Sequence, residues 1–196
     1  MPYTTYGLLK AIRSHQVDRS TVSASLETGR PNACNQCHLD KTLAWTGQYL
    51  EQWAQPELSQ EQQTVAATIL WTLRGDAGQR ALMAWSMGWE EAKAASKSGW
   101  MAPYLAQLLT DPYDAVRFIA FRSIRRLPHY ERFEFNFLAP PKVLVEGRRR
   151  AYKIWMAGSD HPTGESILID PRGKLRIDTF LNLARQRDNR HMVLNE

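Results

Sequence analysis

The segment RPNACNQCHLDKTLAWTGQYLEQW, residues 30–53, contains the only two cysteines of the chain, Cys34 and Cys37, and His38 follows the second directly. Zinc binding would need four ligands, usually including a second Cys or His pair, and the other four histidines are isolated singles. A thioredoxin-like redox pair usually lies where a strand meets a helix, whereas turn-forming residues precede Cys34. Two incidental structural thiols are the plainest alternative.

The fourth use of this spacing is covalent haem attachment, for which C-x-x-C-H is the signature. Two thiols one helical turn apart can add across the two vinyl groups of a porphyrin, and the histidine then lies beneath the iron. We therefore predict Cys34 and Cys37 as thioether anchors of haem c and His38 as the proximal iron ligand. A helix should follow, because Asp40 and Thr42 are early-turn or capping types. Its apolar stripe, which should pack against the macrocycle or the core beside it, consists of Thr46, Tyr49, Leu50 and Trp53.

A haem iron bound by His38 has a second axial position, which histidine or methionine can fill. His15, in LLKAIRSHQVD, is the best candidate, and the alternative is an exposed histidine at a helix end. Met83 and Met87 lie four residues apart in a helical apolar pattern. That placement is more typical of core filling than of iron ligation.

The stretches MPYTTYGLLKAIRSHQVD and GRPNACNQCHLDKTLAW resemble the C-terminal part of multihaem c-type cytochromes that carry a HEAT-repeat tail. The resemblance continues through GDAGQRALMAWSMGW and LLTDPYDAVRFIAFRSIRRLP, so it covers most of the chain. It implies that His15 is an axial ligand, either of the haem on Cys34 and Cys37 or of one carried elsewhere. In that family the first segment commonly follows another C-x-x-C-H. The chain is therefore expected to be the C-terminal portion of a larger cytochrome, or a reading frame that starts late.

The same resemblance implies a periplasmic or other extracytoplasmic location, although residues 1–20 lack the apolar region and cleavage site of a signal peptide. No run of about 18 apolar residues occurs, so no transmembrane segment is predicted. The net charge of +5 is a mild basic bias, which does not favour nucleic-acid binding. The densest basic run, Arg148 to Arg150, indicates a solvated helix face or a contact with an acidic protein partner or a phosphate.

The fold is predicted to be mainly α, with three regions. Residues 1–55 should form the haem-attachment segment and residues 56–128 HEAT-like helix pairs, which bury their apolar faces by stacking. Residues 129–196 should form an extended segment, a helix, a small β-hairpin in SILIDPRGKLRI and a closing helix.

Helix ends carry their own signals in the middle of the chain. Ser59 and Gln62 form a capping-box pattern for a helix that ends at Gly75. Asp76 should begin the next helix, and Asp111 should cap a later one with Pro112 in its first turn.

These patterns favour an electron-transfer c-type cytochrome, or part of one, with one covalent haem c. Its partner would be a redox protein or the remaining haem-bearing part of a multihaem cytochrome. One alternative is a multihaem oxidoreductase acting on small nitrogen or sulfur compounds, which needs an iron open to substrate. Another is a haem-free HEAT-like interaction module. The chain shows no nucleophile–base constellation and is therefore more typical of an electron carrier than of a catalyst.

Overall fold

The computed structural model describes residues 3–7, 9–13, 20–50, 56–159 and 161–191. Within these ranges the protein is mainly α, as predicted, with one short antiparallel hairpin formed by β1 (Thr5–Gly7) and β2 (Lys10–Ile12). The ten helices of the described residues are α1 (Val22–Thr28), α2 (Leu43–Leu50), α3 (Gln60–Thr64), α4 (Ala67–Arg74), α5 (Ala77–Met87), α6 (Glu90–Ser96), α7 (Ala102–Leu108), α8 (Asp114–Ile124), α9 (Pro141–Ala157) and α10 (Ile177–Arg185). Among the described helices, none has the length and hydropathy of a membrane-spanning segment.

The predicted C-terminal hairpin is instead a compact turn with two isolated bridges. Ile169 pairs with Gly164 on one side and with Leu175 on the other. The carboxylate of Asp170 accepts hydrogen bonds from the backbone N–H groups of Arg172 and Lys174. Because one residue pairs in both directions and the aspartate closes the turn, the segment curls and does not extend into two strands.

Helix-end signals are confirmed where the bonds are local. Ser59 with Gln62, and Asp76 with Gln79, both form complete capping boxes. The helix predicted to run from Ser59 to Gly75 is nevertheless two helices, α3 and α4. It breaks because the backbone N–H of Ala66 donates to the carbonyl of Ser166, 2.9 Å away, and not to a carbonyl of the same helix.

A fully buried ion pair joins distant parts of the core. The guanidinium of Arg80 donates twice to the carboxylate of Asp111, with N···O distances of 2.7 and 3.1 Å, and both side chains are 0% exposed. Arg80 also donates to the carbonyls of Gly75 and Asp188. The prediction that Asp111 caps a helix was wrong, because α8 begins at Asp114 and the carboxylate is engaged by the arginine.

The core itself lies between α4, α5, α7, α8 and α9. Its largest fully buried apolar side chains include Trp100, Tyr104 and Met101. Helix α5 packs closely on α8 because the residue that caps its C-terminal end is Gly88. A Cβ atom at that position would lie 2.9 Å from the Cα of Ser123, so only glycine permits this approach.

Candidate functional site

The cysteine motif forms one closed turn of backbone. Residues Cys34–Gln36 make a single 3₁₀ turn, and the carbonyl of Cys34 accepts the N–H groups of Cys37 and His38 at 3.2 and 2.8 Å. The side chain of Asn32, 2% exposed, accepts the N–H of Cys34 at 3.0 Å. Both thiols and the imidazole therefore project from a turn whose backbone is fixed at its start and its end.

The two residues between the cysteines point the opposite way. Asn35 and Gln36 are 0% and 1% exposed, whereas Cys34, Cys37 and His38 are partly exposed. The turn therefore presents its chemically active side chains towards the surface and inserts its amides into the interior.

Asn35 anchors the turn to the helical core. Its amide group donates to the carbonyl of Lys41 at 3.0 Å and accepts from the hydroxyl of Thr46 at 2.8 Å. Its backbone carbonyl accepts the hydroxyl of Thr68, on α4, at 2.9 Å. A buried amide with these bonds satisfied makes the turn rigid.

Ser96, at the C-terminal end of α6, binds the peptides on both sides of His38. Its hydroxyl accepts the N–H of Leu39 at 2.7 Å and donates to the carbonyl of Cys37 at 3.0 Å. Ser96 is 6% exposed and Leu39 is fully buried. One side chain thus fixes the backbone that carries the histidine.

A short row of aromatic rings begins at His38. The imidazole centroid lies 5.2 Å from the ring of Trp45, which lies 4.9 Å from the ring of Tyr49. The hydroxyl of Thr42 caps this part of α2 by accepting the N–H of Trp45 at 3.0 Å, as its residue type predicted. Within the described residues, the ring nitrogens of His38 make no hydrogen bond.

The predicted apolar stripe of α2 is divided between interior and surface. Thr46 is buried, while Tyr49 and Leu50 are 66% and 44% exposed. Trp53 lies outside the described residues. The exposed part of the stripe continues the aromatic row that begins at His38.

Both thiols are free and keep their protons to higher pH than an ordinary cysteine. Burial raises the pKa of Cys34, and the neighbouring Cys37 raises it further. Burial also raises the pKa of Cys37, with a further contribution from the negative charge of Glu91. Reactive redox cysteines need the opposite shift, towards the thiolate. The environment therefore does not favour the thioredoxin-like alternative.

The remaining residues considered as iron ligands are His15, Met83 and Met87. His15 lies outside the described residues. Met83 and Met87 are both 0% exposed in the core, which confirms that they fill the interior. Among the residues that the structure describes, no three Cys, His, Asp or Glu side chains gather as a metal-binding group.

Sequence reasoning missed the residues that hold the turn in place. Asn35 lies between the cysteines, and its polar type is the only signal there. Thr68 lies 33 residues after its partner Asn35, and Ser96 lies 57 residues after its partner Leu39. Nothing in the local sequence of either residue marks it.

Comparison with known protein families, curated proteins and solved structures gives no match to this chain.

Proposed function

We propose that this chain is an electron-transfer c-type cytochrome, or the C-terminal portion of a multihaem one, with haem c attached at Cys34 and Cys37. The observation that carries the proposal is the anchored turn, which directs both thiols and His38 towards the surface while its amides are held in the core. Haem, when bound, supplies an iron that changes oxidation state by one electron. The chain supplies the attachment, the orientation and the surroundings.

The state of the thiols suits thioether formation. Neither thiol is held in a disulfide. In the addition, Sγ bonds to one carbon of a vinyl group and the thiol proton is transferred to the other, so no oxidant is needed. A disulfide between Cys34 and Cys37 would first have to be reduced.

The histidine and its neighbours suit an iron ligand beside a flat apolar group. Within the part of the chain that the structure describes, the ring nitrogens of His38 have no hydrogen-bond partner, so one of them is free to coordinate a metal. The bonds from Ser96 to the adjacent peptides restrict where that imidazole can go, which is the usual role of groups behind a metal ligand. Exposed Tyr49 and Leu50 would gain from being covered by an apolar macrocycle.

The family resemblance is the ground for proposing a HEAT-repeat tail, an extracytoplasmic location, and a partner that is either a redox protein or the remaining haem-bearing part of a multihaem cytochrome. His15 is proposed as the second axial ligand on the same ground.

A haem-staining experiment tests the proposal directly. The chain is exported in a host that matures c-type cytochromes, then analysed by pyridine haemochrome spectra and a haem-stained denaturing gel. One covalent haem per chain is expected, with the covalent signal lost in Cys34→Ala and Cys37→Ala. A folded but colourless protein would refute the proposal and favour a haem-free interaction module.

The axial ligands are tested by spectra of the haem-loaded protein. His38→Ala should change the haem absorption spectrum, because the iron loses its proximal ligand. His15→Ala should also change that spectrum if His15 is the distal ligand. His129→Ala is the matched control, because His129 is exposed in a turn. A His15→Ala spectrum identical to the control would exclude His15 as a ligand of this haem.

A further inference from the structure

Residues 122–153 carry the largest share of the positive charge of the chain. Residues 122–153 contain nine lysines and arginines but three glutamates, a formal +6, whereas the whole chain carries +5. A second basic stretch, residues 172–190, contains six lysines and arginines but two aspartates, a formal +4, and the remainder of the chain is net negative. Attraction to an acidic partner is strongest where such charges gather on one surface.

Three arginines of residues 122–153 lie on aromatic rings. The guanidinium of Arg122 is 5.5 Å from the centroid of Phe118, that of Arg125 is 5.8 Å from Phe121, and that of Arg150 is 5.6 Å from Phe133. The rings of Phe121 and Phe133 lie 6.4 Å apart, so Arg125, which follows α8, and Arg150 of α9 lie over two neighbouring rings. We call Arg122, Arg125, Arg126 and Arg150 the arginine face.

The charges of the arginine face are held in place but not neutralised. Arg125 and Arg150 donate to the backbone carbonyls of Glu131 and Glu134, and Arg126 donates to the carbonyl of Gly88. Within the described residues, no arginine of the arginine face forms a salt bridge. The carboxylates of Glu131 and Glu134 are exposed and close in sequence, but they do not pair with these arginines. Carbonyls and rings orient the guanidiniums, so less side-chain freedom is lost when a carboxylate binds.

The arginine face lies one helix away from the cysteine turn. Ser96 of α6 bonds to Cys37 and Leu39, and Lys93 of the same helix donates to the carbonyl of Arg126 at 2.7 Å. Helix α6 therefore separates the two, and a helix with its side chains is about 10–12 Å across.

We infer that the arginine face is a docking surface for an acidic protein partner. Guanidinium groups bind carboxylates in a bidentate geometry, which an acidic protein surface offers. Single-stranded nucleic acid is disfavoured because bases need open aromatic faces on which to stack. Here guanidiniums and neighbouring rings cover Phe118, Phe121 and Phe133. This binding does not require haem, so its failure would be distinct from failure of the proposed function.

Binding of fluorescent poly-L-glutamate, followed by anisotropy at low and moderate salt, tests the inference on the full chain. The face variant is R122Q/R125Q/R150Q. The control variant, which loses the same charge from exposed positions elsewhere, is R172Q/K174Q/R185Q. The face variant should bind about tenfold more weakly, as expected for the loss of three surface ion pairs. The control should stay within about twofold of the parent chain.

Two results would overturn the inference. One is equal weakening by the face and control variants, which would mean that only total charge matters. The other is tighter binding of oligothymidylate or phosphatidylserine vesicles than of poly-L-glutamate, with the same dependence on the arginine face. If the triple variant does not fold by circular dichroism, Arg150→Gln alone is compared with Arg185→Gln, and no difference between them would also refute the docking surface.

Discussion

Replacing Ser96 with alanine should weaken the hold of the core on the histidine turn. The change removes the acceptor of the Leu39 N–H and the donor to the Cys37 carbonyl. Leu39 is 0% exposed, so its N–H is left without a partner and without access to water. Leaving a buried donor without a hydrogen-bond partner costs about 1–3 kcal/mol of stability. Cys37 is partly exposed, so water can replace the lost bond to its carbonyl, and this second lost bond adds little to the loss of stability.

We therefore expect Ser96→Ala to lower the free energy of unfolding by about 1–3 kcal/mol, measured by urea titration. Thr64→Ala is the control, because that hydroxyl also bonds a backbone carbonyl, of Gln60 at 2.9 Å, but is exposed. It should change the free energy by less than about 0.5 kcal/mol.

A local measurement separates loss of the bond from a general loss of stability. Hydrogen exchange of the Leu39 amide should accelerate in Ser96→Ala beyond what the change in global stability explains, and it should be unaffected in Thr64→Ala. If Ser96→Ala matches the control in both measurements, the claim that Ser96 fixes the peptides beside His38 is refuted.

Three further outcomes are expected. Asp111→Asn should lower the free energy of unfolding by about 3–5 kcal/mol, because the buried guanidinium of Arg80 loses its charged partner; a change below about 1 kcal/mol in urea unfolding would contradict this. Because burial raises the folded-state pKa of both thiols, their contribution to stability is complete at lower pH. This contribution should be lost as the pH rises above about 8.5. Above that pH the free energy of unfolding, measured by urea titration at several pH values, should fall more steeply with pH for the parent chain than for a double Cys→Ser variant. Gly88→Ala should destabilise by about 1–3 kcal/mol in the same assay, since the added methyl meets the backbone of Ser123; a stabilised variant would show that α5 and α8 can separate without strain.

Local patterns predicted the elements whose bonds are local. Ser59 and Asp76 cap their helices as their residue types indicate, because each bonds a residue three positions along. Thr42 caps α2 for the same reason. The mainly α character follows from such signals together with the apolar spacing.

Elements that depend on distant partners were not predictable in this way. The break before α4 exists because Ala66 donates to Ser166, one hundred positions later in the sequence. Asp111 looks like a helix cap in the sequence and is instead the partner of Arg80, 31 residues away.

At the candidate site, too, the sequence predicts what local bonds determine and not what distant partners determine. The types and spacing of Cys34, Cys37 and His38 indicate the chemistry, since all three come from one turn. The burial of Asn35 and the role of Ser96 follow only from how the helices pack around that turn.

The partners of the motif turn also set an order of events during synthesis. The segment from Asn35 to Asp40 bonds Thr68, Ser96 and Ser166, which lie 33, 57 and 126 residues from their respective partners. A ribosome adding about 5–20 residues per second needs on the order of ten seconds to pass from Cys34 to Ser166. During that interval the thiols belong to a nascent chain whose final shape is not yet set. The motif therefore reaches its fixed geometry only after the residues up to Ser166 have been made.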